Sequence, residues 1–340
     1  MRRILFIVIC YLALAIPLAA QNKAALIGIS EYQPGSGWHT INAHNDIELI
    51  KSKLSPSWQV FILENESATH LGIIQLFEEI ETASSPGDTV LIHFSCHGQQ
   101  MIPIINSEDE PDMLDEALVP YDAFKKWSPS YDGRNHLRDD ELSKYINRIR
   151  DKVGASGMVI VTLDACHSDS MNKEGGNAVI LDTICRGTSD IFGDSCIITD
   201  AIIKKRYVRD TSLITISNNS PVLYLSACQA HSQNAEIVLP DGIGYGSLSY
   251  SIACALDNAS FANITEFLNN VVVFMDSLVP YQTPGIRASF NYTKPDLKPE
   301  PIKATNTNEE NHDGLNRNFI YILIAALALL VIIIWSIKKK

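Results

Sequence analysis

The sequence predicts a three-layer α/β/α sandwich with a mostly parallel central sheet, followed by one C-terminal transmembrane helix. Three observations carry this. Short apolar, β-branched runs alternate with amphipathic helical stretches, the pattern of a parallel sheet covered on both faces. Two of these runs, TVLIHFSCHG (89–98) and GMVIVTLDACHS (157–168), break off into small polar residues, as buried strands do on entering a loop. The stretch FIYILIAALALLVIIIWSI (319–337) is apolar and uncharged. At ~1.5 Å per residue it spans about 28 Å, enough for a bilayer core.

The elements follow in order. KAALIGIS (23–30) reads as a first buried strand. INAHNDIELIKSKL (41–54) places Ile41, Ile47, Ile50 and Leu54 on one helical face. WQVFILEN (58–65) reads as a second strand, THLGIIQLFEEIETA (69–83) as a second helix, and Pro86-Gly87 turns the chain into the strand before His97. EALVPYD (116–122) is a short strand. RDDELSKYINRIRD (138–151) is a helix with Asp139 or Asp140 at its start, and the strand ending at Cys166 comes next. Residues 167–210 form a long loop containing Arg186 and the basic run Lys204, Lys205, Arg206 and Arg209. SLITISN (212–218) and PVLYLSAC (221–228) read as strands. GYGSLSYSIACALDN (244–258) and NITEFLNNVVVFMDSL (263–278) read as helices, and Asn263 with Glu266 resembles a capping box.

The two ends have a different character. Met1-Arg2-Arg3, an apolar core and Ala19-Ala20 read as a secretory signal over residues 1–20. The globular part is 21–293, and 294–318 is a polar, Pro- and Asn-containing tether. After the span at 319–337, Lys338, Lys339 and Lys340 form a cytoplasmic stub. This predicts an exported domain held to a membrane through its C-terminal helix. The formal net charge of −12 excludes nucleic acid as the main partner. The acidity gathers at SEDEPDMLDE (107–116) and RDDEL (138–142), either as a solvated acidic face or as a calcium site. Of the seven cysteines, Cys10 lies in the signal. Cys185 and Cys196 are the candidate disulfide. Cys96, Cys228 and Cys254 read as small core residues.

Sites in open α/β sheets form at the carboxyl ends of strands. If the two motif-bearing strands are neighbours, His97 faces Cys166 across a cleft. A thiol is a strong nucleophile once an imidazole takes its proton, and the same imidazole can then protonate a leaving amine. His97 is favoured as the base over His167, His39, His44 and His136. The amides of Gly98 and Cys166 are placed to hold a developing oxyanion. A zinc site built from Cys96, His97, Cys166 and His167 is a competing but poor reading, since adjacent residues rarely point the same way and no CxxC spacing exists.

These motifs resemble those of the caspase-type cysteine peptidases, in particular the metacaspase and paracaspase-like bacterial branch, over about residues 23–290. HFSCHG resembles the histidine motif, with Cys96 where glycine is usual. LDACHS resembles the nucleophile motif. NAHNDIELIKSKL, LSACQAHSQNAE (225–236) and GIGYGSLSYSIACAL (242–256) resemble three further segments in the same order, with Ser247 where threonine is usual. The resemblance implies a caspase-like sandwich, a His97–Cys166 dyad, and an S1 pocket lined by Asp46 and Asp164 with Ser95 and Ser226. Two carboxylates there favour peptide or protein substrates with Arg or Lys at P1. It also implies calcium as a cofactor held by Asp112, Asp139 and Asp140; the family's fourth aspartate has no clear counterpart in this sequence, Asp169 and Glu174 being the nearest candidates, and Asp139 or Asp140 otherwise caps its helix. The function expected is a membrane-anchored, extracytoplasmic cysteine endopeptidase, on the periplasmic side of a bacterial inner membrane, that cuts itself in the basic run 204–209. A non-catalytic caspase-like binding or signalling module is the alternative.

Overall fold

The computed structural model describes residues 21–102, 114–165, 185–193, 220–228 and 234–295. The predicted signal, the tether beyond residue 295, the apolar span 319–337 and the strand 212–218 lie outside these residues. Among the described residues, no helix is long and apolar enough to cross a membrane.

In chain order the elements are β1 (Lys23–Gly28), α1 (Ala43–Lys53), β2 (Gln59–Glu64), α2 (His70–Ala83), β3 (Thr89–Ser95), β4 (Gly98–Met101), β5 (Asp115–Leu118), β6 (Leu137–Arg138), α3 (Asp139–Val153), β7 (Met158–Asp164), β8 (Val222–Ser226), β9 (Glu236–Val238), β10 (Gly244–Gly246), α4 (Ser247–Leu256), α5 (Ile264–Leu278) and β11 (Gly285–Ala288). The central sheet has the order β11-β8-β7-β3-β1-β2. Four of its five pairings are parallel, and the edge strand β11 runs antiparallel to β8. Two small antiparallel sheets, β4-β5-β6 and β9-β10, lie outside it.

The period of two along each strand builds the three layers. Ala25 and Ile27, Val90, Ile92 and Phe94, and Val159 and Val161 turn to one face. There they meet Ile73, Leu76, Phe77 and Ile80 of α2 and Leu142, Ile146, Ile149 and Val153 of α3. Spacings of three and four keep each set on one helix face. Ala24, Leu26, Leu91 and Ile160 turn to the other face, against Ile47 and Ile50 of α1, Leu248, Ile252 and Ala255 of α4, and Phe267, Val271 and Met275 of α5. Burying each large side chain contributes about 1.5–3 kcal/mol, so the two apolar layers, rather than helix propensity, hold the helices in place.

The same alternation positions the site. Continuing the second face, Leu91 is followed by His93 and Ser95, and Ile160 by Thr162 and Asp164. All four polar residues are buried on the α1/α4 side at the carboxyl end of the sheet. β3 and β7 are adjacent as expected, with Ser95 opposite Asp164, so His97 and Cys166 each follow two residues beyond that pair.

Two expectations need correction. The strand expected at 116–122 is Asp115–Leu118 and belongs to the small β4-β5-β6 sheet rather than the central one. Pro120 has no amide to extend a ladder, and Val119 and Tyr121 donate instead to the carbonyls of His97 and Ala68. The helix expected from Gly244 begins at Ser247, because Gly244–Gly246 pairs as a strand with β9. Two glycines in three residues weaken a helix.

Candidate active site

Beyond Ser95 the chain leaves the sheet, and His97 enters a cage of rings from the loop after β1. Trp38 stacks on it at 4.9 Å between centroids, with Tyr32 at 5.2 Å and His39 edge-on at 4.4 Å. The His97 amide donates to the Tyr32 hydroxyl at 2.8 Å. Its Nε2 lies 2.9 Å from the His39 carbonyl. A carbonyl only accepts, so Nε2 carries the proton and Nδ1 the lone pair. Nδ1 is buried and has no hydrogen-bond partner among the described residues. Burial, reinforced by the charge of His39, pushes His97 down to about 3, so the ring is neutral at physiological pH. Cys96 turns the other way, into the layer under α2 and α3, where burial pushes its thiol up to about 12. Neighbouring Cys96 and His97 therefore diverge, and the zinc reading loses its first two ligands. Cys166 and His167 lie outside the described residues.

Beside His97 is a buried pocket of carboxylates, and it holds an arginine of the same chain. Arg186 is fully buried. Its Nη2 is 2.7 Å from Asp46 and 2.8 Å from Glu236, and its Nη1 is 3.6 Å from Asp164. Nη1 also donates to the Ser95 hydroxyl at 2.7 Å, and that hydroxyl donates to Asp46 at 2.7 Å. The sequence expectation placed Asp46, Asp164 and Ser95 in one pocket, and the fold brings all three together. Ser226 takes no part in holding Arg186; its hydroxyl donates to the Cys228 carbonyl.

The start of α4 supplies amides to the acids. Gly246 N–H donates to Asp46 at 2.9 Å and Ser249 N–H to Asp164 at 2.7 Å, so two of the helix's unsatisfied amides face the two carboxylates. Position 246 must be glycine, since a Cβ there would lie 2.2 Å from an Asp164 oxygen and 2.5 Å from Arg186 Nη1. The Ser249 hydroxyl and Asn234 Nδ2 complete the shell of Asp164. Burial alone would raise Asp164, but the Arg186 guanidinium and these hydrogen bonds hold it below the usual carboxylate range. Asp46 behaves oppositely. Burial pushes it up to about 6 against the pull of Arg186, and the Asp164 charge adds to the rise. Burial would lower Arg186, and its three carboxylates raise it instead.

Several residues of this site had no role assigned from the sequence: Arg186, Asn234 and Glu236, and the residues that position them. Asn42 holds Glu236 through its backbone and side-chain nitrogens. Gln282 joins Asn234, Ser247 and the Ala227 carbonyl. The sequence signal for Asn234 and Glu236 is the segment LSACQAHSQNAE (225–236), whose resemblance points to Ser226 and to neither of them.

The expected calcium ligands are incompletely placed. Asp112 lies outside the described residues. Asp139 and Asp140 open α3, and burial with the charges of Asp140 and Asp115 pushes Asp139 up to about 6. Asp115 is ion-paired with Arg138. Among the described residues no group of three or more His, Cys, Asp or Glu side chains is arranged to hold a metal ion. In the predicted Cys185–Cys196 disulfide, Cys196 is outside the described residues, and Cys254 is half-buried on α4 rather than in the core.

Comparison with known proteins agrees with this architecture. A family model described as a caspase domain matches residues 21–293. Metacaspase-1 of Eremothecium gossypii is 24% identical over 288 residues, covering 74% of this chain and 60% of that protein. Metacaspase-8 of Arabidopsis thaliana is 22% identical over 163 residues, covering 45% of this chain and 38% of that protein. This chain thus spans less than two thirds of either relative. A crystal structure of a Geobacter sulfurreducens protein matches with a TM-score of 0.53 at 21% identity, covering 82% of this chain and 95% of that one, and supports the fold alone. With a caspase-domain match that runs from β1 past β11, the chain belongs to the caspase-domain family of cysteine peptidases.

Proposed function

We propose that the protein is a cysteine endopeptidase that cleaves after arginine or lysine, with Cys166 as nucleophile and His97 as base. The observation that carries this reading is the guanidinium held out of water by Asp46, Asp164 and Glu236 beside a histidine whose Nδ1 is unpartnered. In the proposed reaction Nδ1 takes the Cys166 thiol proton and the thiolate attacks the scissile carbonyl. The amides of Gly98 and Cys166 receive the negative oxygen. His97 then protonates the leaving amine, and water hydrolyses the thioester. The His39 carbonyl keeps the proton on Nε2 throughout, which fixes the ring's orientation. Three carboxylates around one cation leave the pocket short of positive charge, and an acidic P1 side chain would add a fourth negative group.

Membrane anchoring and an extracytoplasmic site belong to the same proposal and rest on residues 1–20 and 319–337. A calcium requirement rests on Asp112, Asp139 and Asp140, and no catalytic step above depends on it. The second reading, a non-catalytic binding module, is favoured by one observation: the guanidinium among the carboxylates is the chain's own, and Arg186 is fully buried there.

Hydrolysis of fluorogenic peptides with Arg, Lys or Asp at P1, with and without calcium, separates the two. Cleavage after Arg and Lys that Cys166→Ala abolishes supports the peptidase. Folded protein that hydrolyses none of the peptides supports the binding module.

A further inference from the structure

The motif HFSCHG carries two histidines, and the reaction above uses only the second. The first, His93, is fully buried on β3, two residues before the Ser95 hydroxyl that meets Arg186. A neutral imidazole shut away from water needs an acceptor for one nitrogen and a donor for the other. His93 has a hydroxyl at each. Its Nδ1 lies 2.8 Å from the Thr162 hydroxyl of β7, and its Nε2 lies 3.4 Å from the Ser249 hydroxyl of α4.

The protons along this row are fixed from its far end. Asp164 is held ionised, so its carboxylate only accepts. The Ser249 hydroxyl gives its one proton to Asp164 Oδ2, the oxygen that also takes the Ser249 amide at 2.7 Å. The Ser249 oxygen then offers His93 only lone pairs. Nε2 therefore carries the imidazole proton, Nδ1 has the lone pair, and Thr162 donates to it. Every hydrogen bond in the row points toward Asp164, the carboxylate that faces Arg186 Nη1 at 3.6 Å. Hydrogen bonds aligned in this way polarise one another in a low-dielectric interior.

We propose that His93 is a positioning residue of the cation pocket, its Nε2–H holding the Ser249 hydroxyl aimed at Asp164. Its effect on substrate rests on the peptidase reading of the same pocket. Without the imidazole the buried Ser249 oxygen lacks a donor and its hydroxyl is no longer constrained. Asp164 then loses part of the support that keeps its charge turned to a P1 guanidinium. Such a defect weakens the hold on the guanidinium and leaves the reacting atoms alone, so it raises KM at unchanged kcat.

The test is hydrolysis of a P1-arginine peptide by the full-length chain and by its His93→Phe, His93→Gln, Ser249→Ala and His93→Phe/Ser249→Ala variants, together with nitrogen NMR of the histidines. His93→Phe keeps a ring and removes both nitrogens, and it should raise KM by about 2–10-fold, the loss of one hydrogen bond between neutral groups. His93→Gln, whose amide also has a donor and an acceptor, should restore KM. In the Ser249→Ala background His93→Phe should change nothing further, because it acts through that hydroxyl; a residue that only filled space would act equally in both backgrounds. In the spectrum of the unaltered chain His93 should be the neutral tautomer protonated at Nε2, with a resonance that moves in Ser249→Ala. Equal effects in the two backgrounds, a loss of kcat at unchanged KM, or a His93 proton on Nδ1 would each overturn the proposal. If the unaltered chain hydrolyses no peptide, the peptidase reading fails, and the tautomer of His93 with its response to Ser249→Ala decides the positioning role by itself.

Discussion

Asp46 and Asp164 face one guanidinium but are held differently. Asp164 has hydrogen bonds from Ser249 and Asn234 and stays ionised, whereas burial beside Asp164 pushes Asp46 up to about 6. Below that pH Asp46 takes a proton and its attraction for a cation is lost, so hydrolysis of P1-arginine peptides should fall as pH drops through about 6. Asp46→Asn should remove that dependence and raise KM, by roughly 10–100-fold for one charged hydrogen bond of about 1.5–3 kcal/mol. His97→Ala should lower kcat by about 10²–10⁴-fold, the usual contribution of a positioned acid-base group. Peptide assays over pH 5–8 check all three. His97, Asp46 and Asp164 were legible in the sequence because each sits in a short motif at a strand or helix end. Arg186 and Glu236 were not, because their contacts join segments far apart in the chain, and local spacing carries no record of such contacts.

The start of α4 does the most to shape the pocket. Its free amides meet both acids, and the chain reaches them only because position 246 lacks a Cβ. Gly246→Ala should destabilise the fold by about 1–3 kcal/mol through overpacking and should displace Arg186 or any P1 arginine. Chemical denaturation and the peptide assay read the two effects separately. The helix itself was legible as an element within 244–258, but its start was not. Gly244-Tyr245-Gly246 looks like a helical lead-in until β9 is available to pair with it. The short strand after His97 was displaced for a similar reason: its residues fit any sheet, and only the tertiary pairing with β4 and β6 assigned it to the small one.

Across the whole molecule, the alternation of strands and helices gave the layers, and the predicted face of α1 supplies Ile47 and Ile50 to one of the two cores. Burial also sets the response to acid. His93, His97 and His136 are buried neutral, pushed down to about 4, 3 and 3. Each folded-state value lies below the unfolded one near 6.5, so the stability each contributes is present above pH 6.5 and is lost as pH falls toward the folded value. His136 lies away from the pocket, between Tyr131 and Gln99. His136→Gln should therefore flatten the loss of stability between about pH 6 and 4 by one proton, ~1.4 kcal/mol per pH unit, measurable by urea unfolding. The central claim is that one thiol, Cys166, serves an arginine-selective pocket with His97 as its base. Labelling the full chain with a thiol-reactive P1-arginine peptide and locating the adduct by peptide mass mapping tests it most directly. The account predicts a single adduct on Cys166, slowed in His97→Ala and in Asp46→Asn. An adduct on another cysteine, or labelling of Cys166 that a P1-aspartate reagent matches, would contradict it.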